Sequence, residues 1–172
     1  MAIFHRHLFV VLAALTAGGG LTVRATPAAT GESRIAVIAS AHTPVPAIDS
    51  DLLRSIYLKK IFVDSGGRPY IPVNLSPIDN LRRTFLLYII HMDKPQFQNY
   101  WNRQYFQGIS PPYVLGSQTA VAEFVAKTPG AIGYVQPCYV TPQVHVVLLL
   151  SLPDSGFVGK LDKCPDHSAH SP

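Results

Sequence analysis

The sequence predicts an α/β fold, a mixed sheet covered by helices, and three features carry that prediction. Ile35–Ala39 and Ala131–Val135 are apolar or small at consecutive positions, the pattern of strands in a helix-covered sheet, and Val144–Leu150, apolar but for His145, has the size of a buried strand. Between such runs lie stretches with apolar residues every three to four positions, opened by an Asp or Ser that can serve as an N-cap. Pro and Gly clusters punctuate the alternation, so strands and helices follow one another as a layered architecture requires.

Of the 172 residues, 48% are apolar, enough for one domain with an ordinary core and too many for a disordered chain. Met1–His7 carries Arg6, residues 8–21 are apolar or small, and Val23 and Ala25 stand at the −3 and −1 positions of a cleavage site. Residues 1–25 therefore read as a secretory signal peptide with Thr26 as the mature amino terminus, Ala28 or Ala29 being the fallback cleavage points. The apolar run is broken by Gly18-Gly19-Gly20, and no later stretch approaches membrane length, so the cleaved chain is expected to be periplasmic or secreted and not to span a membrane. The net charge of +4 includes Arg6 and Arg24; without them a small excess of basic residues remains, and no basic run with interleaved aromatics points to nucleic acid.

Residues 26–33 have a linker composition, residues 34–152 carry the α/β domain, and residues 153–172 form a mostly flexible tail. Arg34–Ser40 is the first strand, and His42–Pro46 is extended because of its two prolines. Asp49 or Ser50 caps a short helix carrying Leu52, Leu53 and Ile56 that stops near Leu58. Ile61-Phe62-Val63 reads as a strand, followed by a turn over residues 64–69. Further on, Asp93 caps a helix with Phe97, Trp101 and Tyr105 on one side, ending at Gly108. Pro111-Pro112 makes an extended connection, and Ser117 caps a helix with Val121, Phe124 and Val125 inward that Thr128-Pro129-Gly130 terminates.

The stretch Tyr70–His91 is the piece around which the rest is arranged. Tyr70–Val73 is a strand, Asn74-Leu75 turns the chain, and Ser76-Pro77-Ile78-Asp79 opens a helix. Ser76 is expected at the N-cap, Pro77 at the first helical position and Asp79 as the acidic member of a capping box. Ile78, Leu81, Phe85, Ile89 and Met92 draw one apolar stripe, while Asn80, Arg82 and Arg83 begin the other face. Open N–H groups and the helix dipole favour anions at such a start, which makes Ser76, Asp79, Asn80 and Arg82 candidate ligand-binding residues. An ordinary capped connection with no ligand gives the same pattern.

Two cysteines, Cys138 and Cys164, in an exported chain make one disulfide the economical reading, with two unrelated thiols as the alternative. Cys164, His167 and His170 have a metal-like spacing but lack a fourth ligand, so no metal is expected. His42, His91 and His145 are dispersed, and no Ser or Cys lies in a nucleophile motif. No cofactor is implied. Tyr100, Trp101, Tyr105 and Phe106 read either as a recognition surface or as core with one wet edge. Asn74-Leu75-Ser76 matches a glycosylation sequon.

Three stretches resemble the phosphate-binding proteins of ABC importers, within the type 2 periplasmic-binding-protein superfamily, in a short single-lobe form. The first is the strand Ile35–Ala39 with Pro44-Val45, Ile48, Leu52-Leu53 and Ile56-Tyr57-Leu58-Lys59-Lys60. Val73–Phe85 forms the second, in the place of that family's phosphate-binding helix start. The third joins Tyr100-Trp101, Phe106-Gln107-Gly108 and Pro111-Pro112 to Thr128-Pro129-Gly130-Ala131-Ile132-Gly133-Tyr134-Val135, the most specific signal in the chain. The resemblance spans Arg34–Val135 and implies one lobe of a two-lobed binding protein, non-catalytic, with a small phosphate-like oxyanion and an envelope or transporter protein as partners. In that family the helix start reads Ser-Gly-Thr-Arg; here Asp79, Asn80, Leu81 and Arg82 stand in those places, so the oxyanion site is expected to be degenerate and weak. Leu81 has no hydroxyl, Asp79 repels an anion, and Arg82 either offers a two-pronged donor or pairs with Asp79. The alternatives are a periplasmic interaction or sensory accessory module that keeps the lobe as scaffold, and a small periplasmic enzyme using His42 or His91.

Overall fold

Strands β1 (Arg34–Ser40), β2 (Ile71–Leu75), β3 (Tyr113–Leu115), β4 (Ala131–Val135) and β5 (Val144–Ser151) form one mixed sheet in the computed structural model, in the order β3-β2-β4-β1-β5. Residues 34–43, 45–152 and 156–165 are described; the expected signal segment 1–25, the expected linker 26–33 and the histidines His167 and His170 lie outside them. β2 is parallel to both β3 and β4, whereas β1 runs antiparallel to β4 and β5. Parallel neighbours need long crossovers, and helices supply them. α2 (Asn80–Phe85), its π-helical continuation Leu86–Ile90 and α3 (Lys94–Tyr105) join β2 to β3, and α4 (Gln118–Lys127) joins β3 to β4. α1 (Ser50–Tyr57) lies between β1 and β2 in the chain.

The apolar run of β1 is fully buried from Ile35 to Ala39, as its lack of alternation predicts. α4 lies close on β4 because Gly133 has no side chain: a methyl there would meet Val121 Cγ1 at 2.5 Å and Val125 Cγ2 at 3.0 Å. The adjacent Tyr134 stacks on Phe85 of α2, with ring centroids 3.9 Å apart and planes 3° from parallel. Tyr57 tilts against Phe85, and its hydroxyl lies 2.9 Å from the Val73 carbonyl oxygen and 3.1 Å from that of Ile132, bridging β2 and β4 from α1. Burial pushes the Tyr57 and Tyr134 phenols well above their ordinary pKa, so both are neutral hydrogen-bonding groups.

The caps at Asp93 and Ser117 stand where the sequence places them, Asp49 rather than Ser50 caps α1, and Asp93 forms a reciprocal capping box with Gln96. Elsewhere the structure departs from the sequence reading. Asn74 and Leu75 are not a turn but the end of β2, paired with Val114 and Leu115 of a three-residue edge strand too short to show a period. Ser76 is not the N-cap. Its carbonyl accepts from the Asp79 N–H at 3.0 Å across a β-turn with Pro77 in the second position, and Asp79 caps the helix instead. Ile78 therefore falls outside the apolar stripe and is 85% exposed. Ile61–Val63 makes only a single bridge, Val63 to Pro69, and joins neither edge strand of the sheet. The chain bends at Ala41–Thr43 rather than running extended, and Tyr105 points outward at 72% exposure.

Candidate functional site

The strand ends and helix starts on one edge of the sheet enclose a cleft of about 330 Å³. Ser76 follows β2, Gly116 follows β3, and α2 and α4 begin beside them, so two helix amino ends face the same space. In parallel sheets, ligands commonly bind outside the carboxyl ends of the strands for this reason. Lys160, Leu161 and Asp162 of the carboxy-terminal segment complete the wall.

Ser76, Asp79 and Asn80 line this cleft; Arg82 does not. The Asp79 carboxylate accepts from the Leu81 N–H at 2.7 Å and the Arg82 N–H at 3.2 Å, which takes the second and third donors of α2. Burial raises the Asp79 pKa, the two amide bonds lower it, and the nearby Asp162 charge raises it again. Asn80 donates from Nδ2 to the Lys160 carbonyl at 2.8 Å. Ser76 accepts the turn hydrogen bond through its carbonyl, and its hydroxyl makes none among the described residues. Leu81 is buried in the core, so its lack of a hydroxyl follows from packing as much as from the cleft.

Arg82 is 9% exposed and folds back under the strand: Nη1 donates to the Leu75 carbonyl at 2.6 Å, and the guanidinium carbon sits 5.8 Å from the Phe97 ring centroid. It makes no ion pair with Asp79 within 4.0 Å, although each feels the other's charge. Neither role that the sequence leaves open for it, anion donor or surface partner of Asp79, matches this geometry.

Sequence reading missed the opposite wall. Gln118 is buried at the start of α4; its Oε1 accepts from the Gln136 N–H at 2.6 Å, and its Nε2 reaches Gln136 Oε1 at 2.8 Å and Asp162 Oδ2 at 3.3 Å. Cys138 and Cys164 are joined, with Cα atoms 5.7 Å apart. That bond is the signal that could have found the wall, since Cys138 follows the end of β4 closely and must draw residues near Cys164 to this edge. Asn74 of the sequon is buried and accepts from the Tyr134 hydroxyl at 3.1 Å, so the folded chain does not present it to a glycosylating enzyme. Of the aromatic group, Trp101 is buried and Tyr100 donates to the Leu58 carbonyl at 2.6 Å, while Phe106 is 88% exposed. Among the described residues, no three His, Cys, Asp or Glu side chains converge as metal ligands, and no helix is long and apolar enough to cross a membrane.

No family model and no curated protein matches the chain. Solved structures do. A protein from Clostridium perfringens assigned as a phosphate ABC transporter substrate-binding protein, with bound phosphate, superposes with a TM-score of 0.53 at 19% identity, over 65% of this chain and 43% of that one. An ABC-type phosphate transport receptor from Vibrio cholerae gives 0.52 at 16% identity, over 65% and 44%. The chain thus spans less than half the length of these receptors, and the likeness is one of fold: a mixed α/β layer structure of the kind periplasmic binding proteins contain.

Proposed function

We propose that this chain is an exported, non-catalytic solute-binding-type module built on one lobe of the phosphate-receptor fold, with a degenerate oxyanion site. The observation that carries this reading is the Asp79 carboxylate on the Leu81 and Arg82 amides. A buried phosphate needs several donors at once, and here a fixed anion already takes the helix amino end. Three donor side chains near it are committed, Asn80 to Lys160, Gln118 to Gln136 and Asp162, and Arg82 to Leu75, which leaves the Ser76 hydroxyl and the Lys160 ammonium of the lining to meet an anion. Each missing charge-assisted bond weakens binding by roughly 1.5–3 kcal/mol, so the loss of two lowers affinity by about two to four orders of magnitude.

Asp79→Ser tests the reading, since serine keeps an N-cap acceptor of similar quality and removes the carboxylate. Equilibrium dialysis with labelled phosphate is expected to show tighter binding by the variant than by the unmodified protein. Equal affinities would mean that the carboxylate is not the obstacle. Use of the lobe as an interaction scaffold is the second reading, favoured by Ile78, Tyr105 and Phe106, which present large apolar side chains at 85%, 72% and 88% exposure.

A further inference from the structure

We propose that residues 156–164 are a lid on the cleft, locked by the Cys138–Cys164 bridge and released when a dithiol reduces it. The inference rests on the reading of the cleft as the degenerate ligand site. The segment pairs with no strand and forms no helix, so no backbone ladder holds it. Among the described residues its hydrogen bonds are few, and each involves a side chain. The Val158 N–H donates to Thr84 Oγ1 at 3.0 Å, Asn80 Nδ2 to the Lys160 carbonyl at 2.8 Å, Gln118 Nε2 to Asp162 Oδ2 at 3.3 Å, and the Tyr139 hydroxyl to the Lys163 carbonyl at 2.8 Å. Phe157 and Leu161 are half-buried against the core. Three of these four bonds reach the elements that build the cleft, and Lys160 and Asp162 form its wall. A segment outside sheet and helices with so few anchors opens readily unless its far end is fixed, and the bridge fixes it by closing a loop across a separation of 26 residues.

The bridge is reachable. Cys164 is exposed and Cys138 half-buried, so a thiolate can approach the Cys164 sulfur. The dithiol thiolate attacks Cys164 Sγ, the S–S bond breaks and Cys138 leaves as thiolate; the second reductant thiol then displaces Cys164 and closes the reductant's own disulfide. Two electrons and two protons pass to the cysteine pair, and the dithiol is oxidised.

Trypsin cleavage after Lys160 reads the position of the lid in the full chain, and phosphate takes no part, so this test and that of the ligand reading fail separately. Dithiothreitol is expected to speed that cleavage at least about tenfold, a local opening, while cleavage after Arg103 and Lys127 in the helices stays unchanged. Gly159→Ala supplies a second arm that leaves the bridge intact. Gly159 has φ +81°, and a methyl there would meet the Asn80 amide at 2.9 Å, so the variant should weaken the lid contacts while the bridge keeps cleavage after Lys160 slow until reductant is added; rapid cleavage of the oxidised variant would show that these contacts, not the bridge, hold the lid. Equal rates with and without reductant would overturn the proposal. So would cleavage throughout the reduced protein, which would make the bridge a staple of the whole fold rather than a lock on the lid.

Discussion

Replacing Arg82 by methionine separates a structural role from a ligand role for the one residue that the phosphate-receptor resemblance retains. The guanidinium donates to the Leu75 carbonyl at 2.6 Å and rests over Phe97 at 5.8 Å, away from the cleft. A hydrogen bond from a charged donor contributes roughly 1.5–3 kcal/mol, and the cation on a ring adds about 0.5–1 kcal/mol. Against this, burial disfavours the charge, which lowers the Arg82 pKa, and methionine is free of that cost while filling much of the same volume. The net expectation is a loss of about 2 kcal/mol, read as a lower urea midpoint with an unchanged slope. Any residual phosphate binding should persist in the folded variant. A variant of undiminished stability that had lost oxyanion binding would refute the argument and return Arg82 to the site.

Phe85→Ala should cost about 3–5 kcal/mol, because Phe85 is fully buried and stacked on Tyr134; urea unfolding measures it, and a loss under about 1 kcal/mol would show that this aromatic cluster is not central to the core. For Asp79 the pH trend is opposite to that of an ordinary ion-paired carboxylate. Its folded pKa lies above the ordinary value, so the folded state holds more protons in the window just above that value and its contribution to stability falls as pH rises through it. Asp79→Asn, which keeps a cap acceptor and cannot titrate, should therefore gain on the unmodified protein as pH rises just above the ordinary carboxylate range, and a trend in the other direction by thermal melts would contradict this. Intact mass of the exported chain should place the amino terminus at Thr26, whereas retention of residues 1–25 would identify that segment as an anchor.

Periodicity and caps made the larger elements legible. β1 and β4 match their apolar runs, and β5 extends its run by one residue; Asp49, Asp93 and Ser117 cap as their side-chain chemistry dictates. Tyr134 and Gly133 explain physically why Gly130–Val135 is distinctive: one position must be bare under α4, and the next fills the space against Phe85. Local signals failed where two residues competed for one role. Ser76 and Asp79 both fit an N-cap, and the proline between them suits a turn as well as a helix start, so only the Asp79 N–H to Ser76 carbonyl bond decides. The Arg82 side chain turns toward Leu75, a direction that residue spacing does not encode. Residues 156–162 join the cleft through contacts with residues about 40–80 positions earlier in the chain, which no window of sequence reveals.

Isothermal calorimetry of the mature, oxidised protein with inorganic phosphate tests the central claim most directly. No measurable heat of binding, or a dissociation constant in the millimolar range, is expected, because the Asp79 carboxylate already occupies the helix amino end and Arg82 faces Leu75. A micromolar dissociation constant would contradict it and establish a working phosphate receptor.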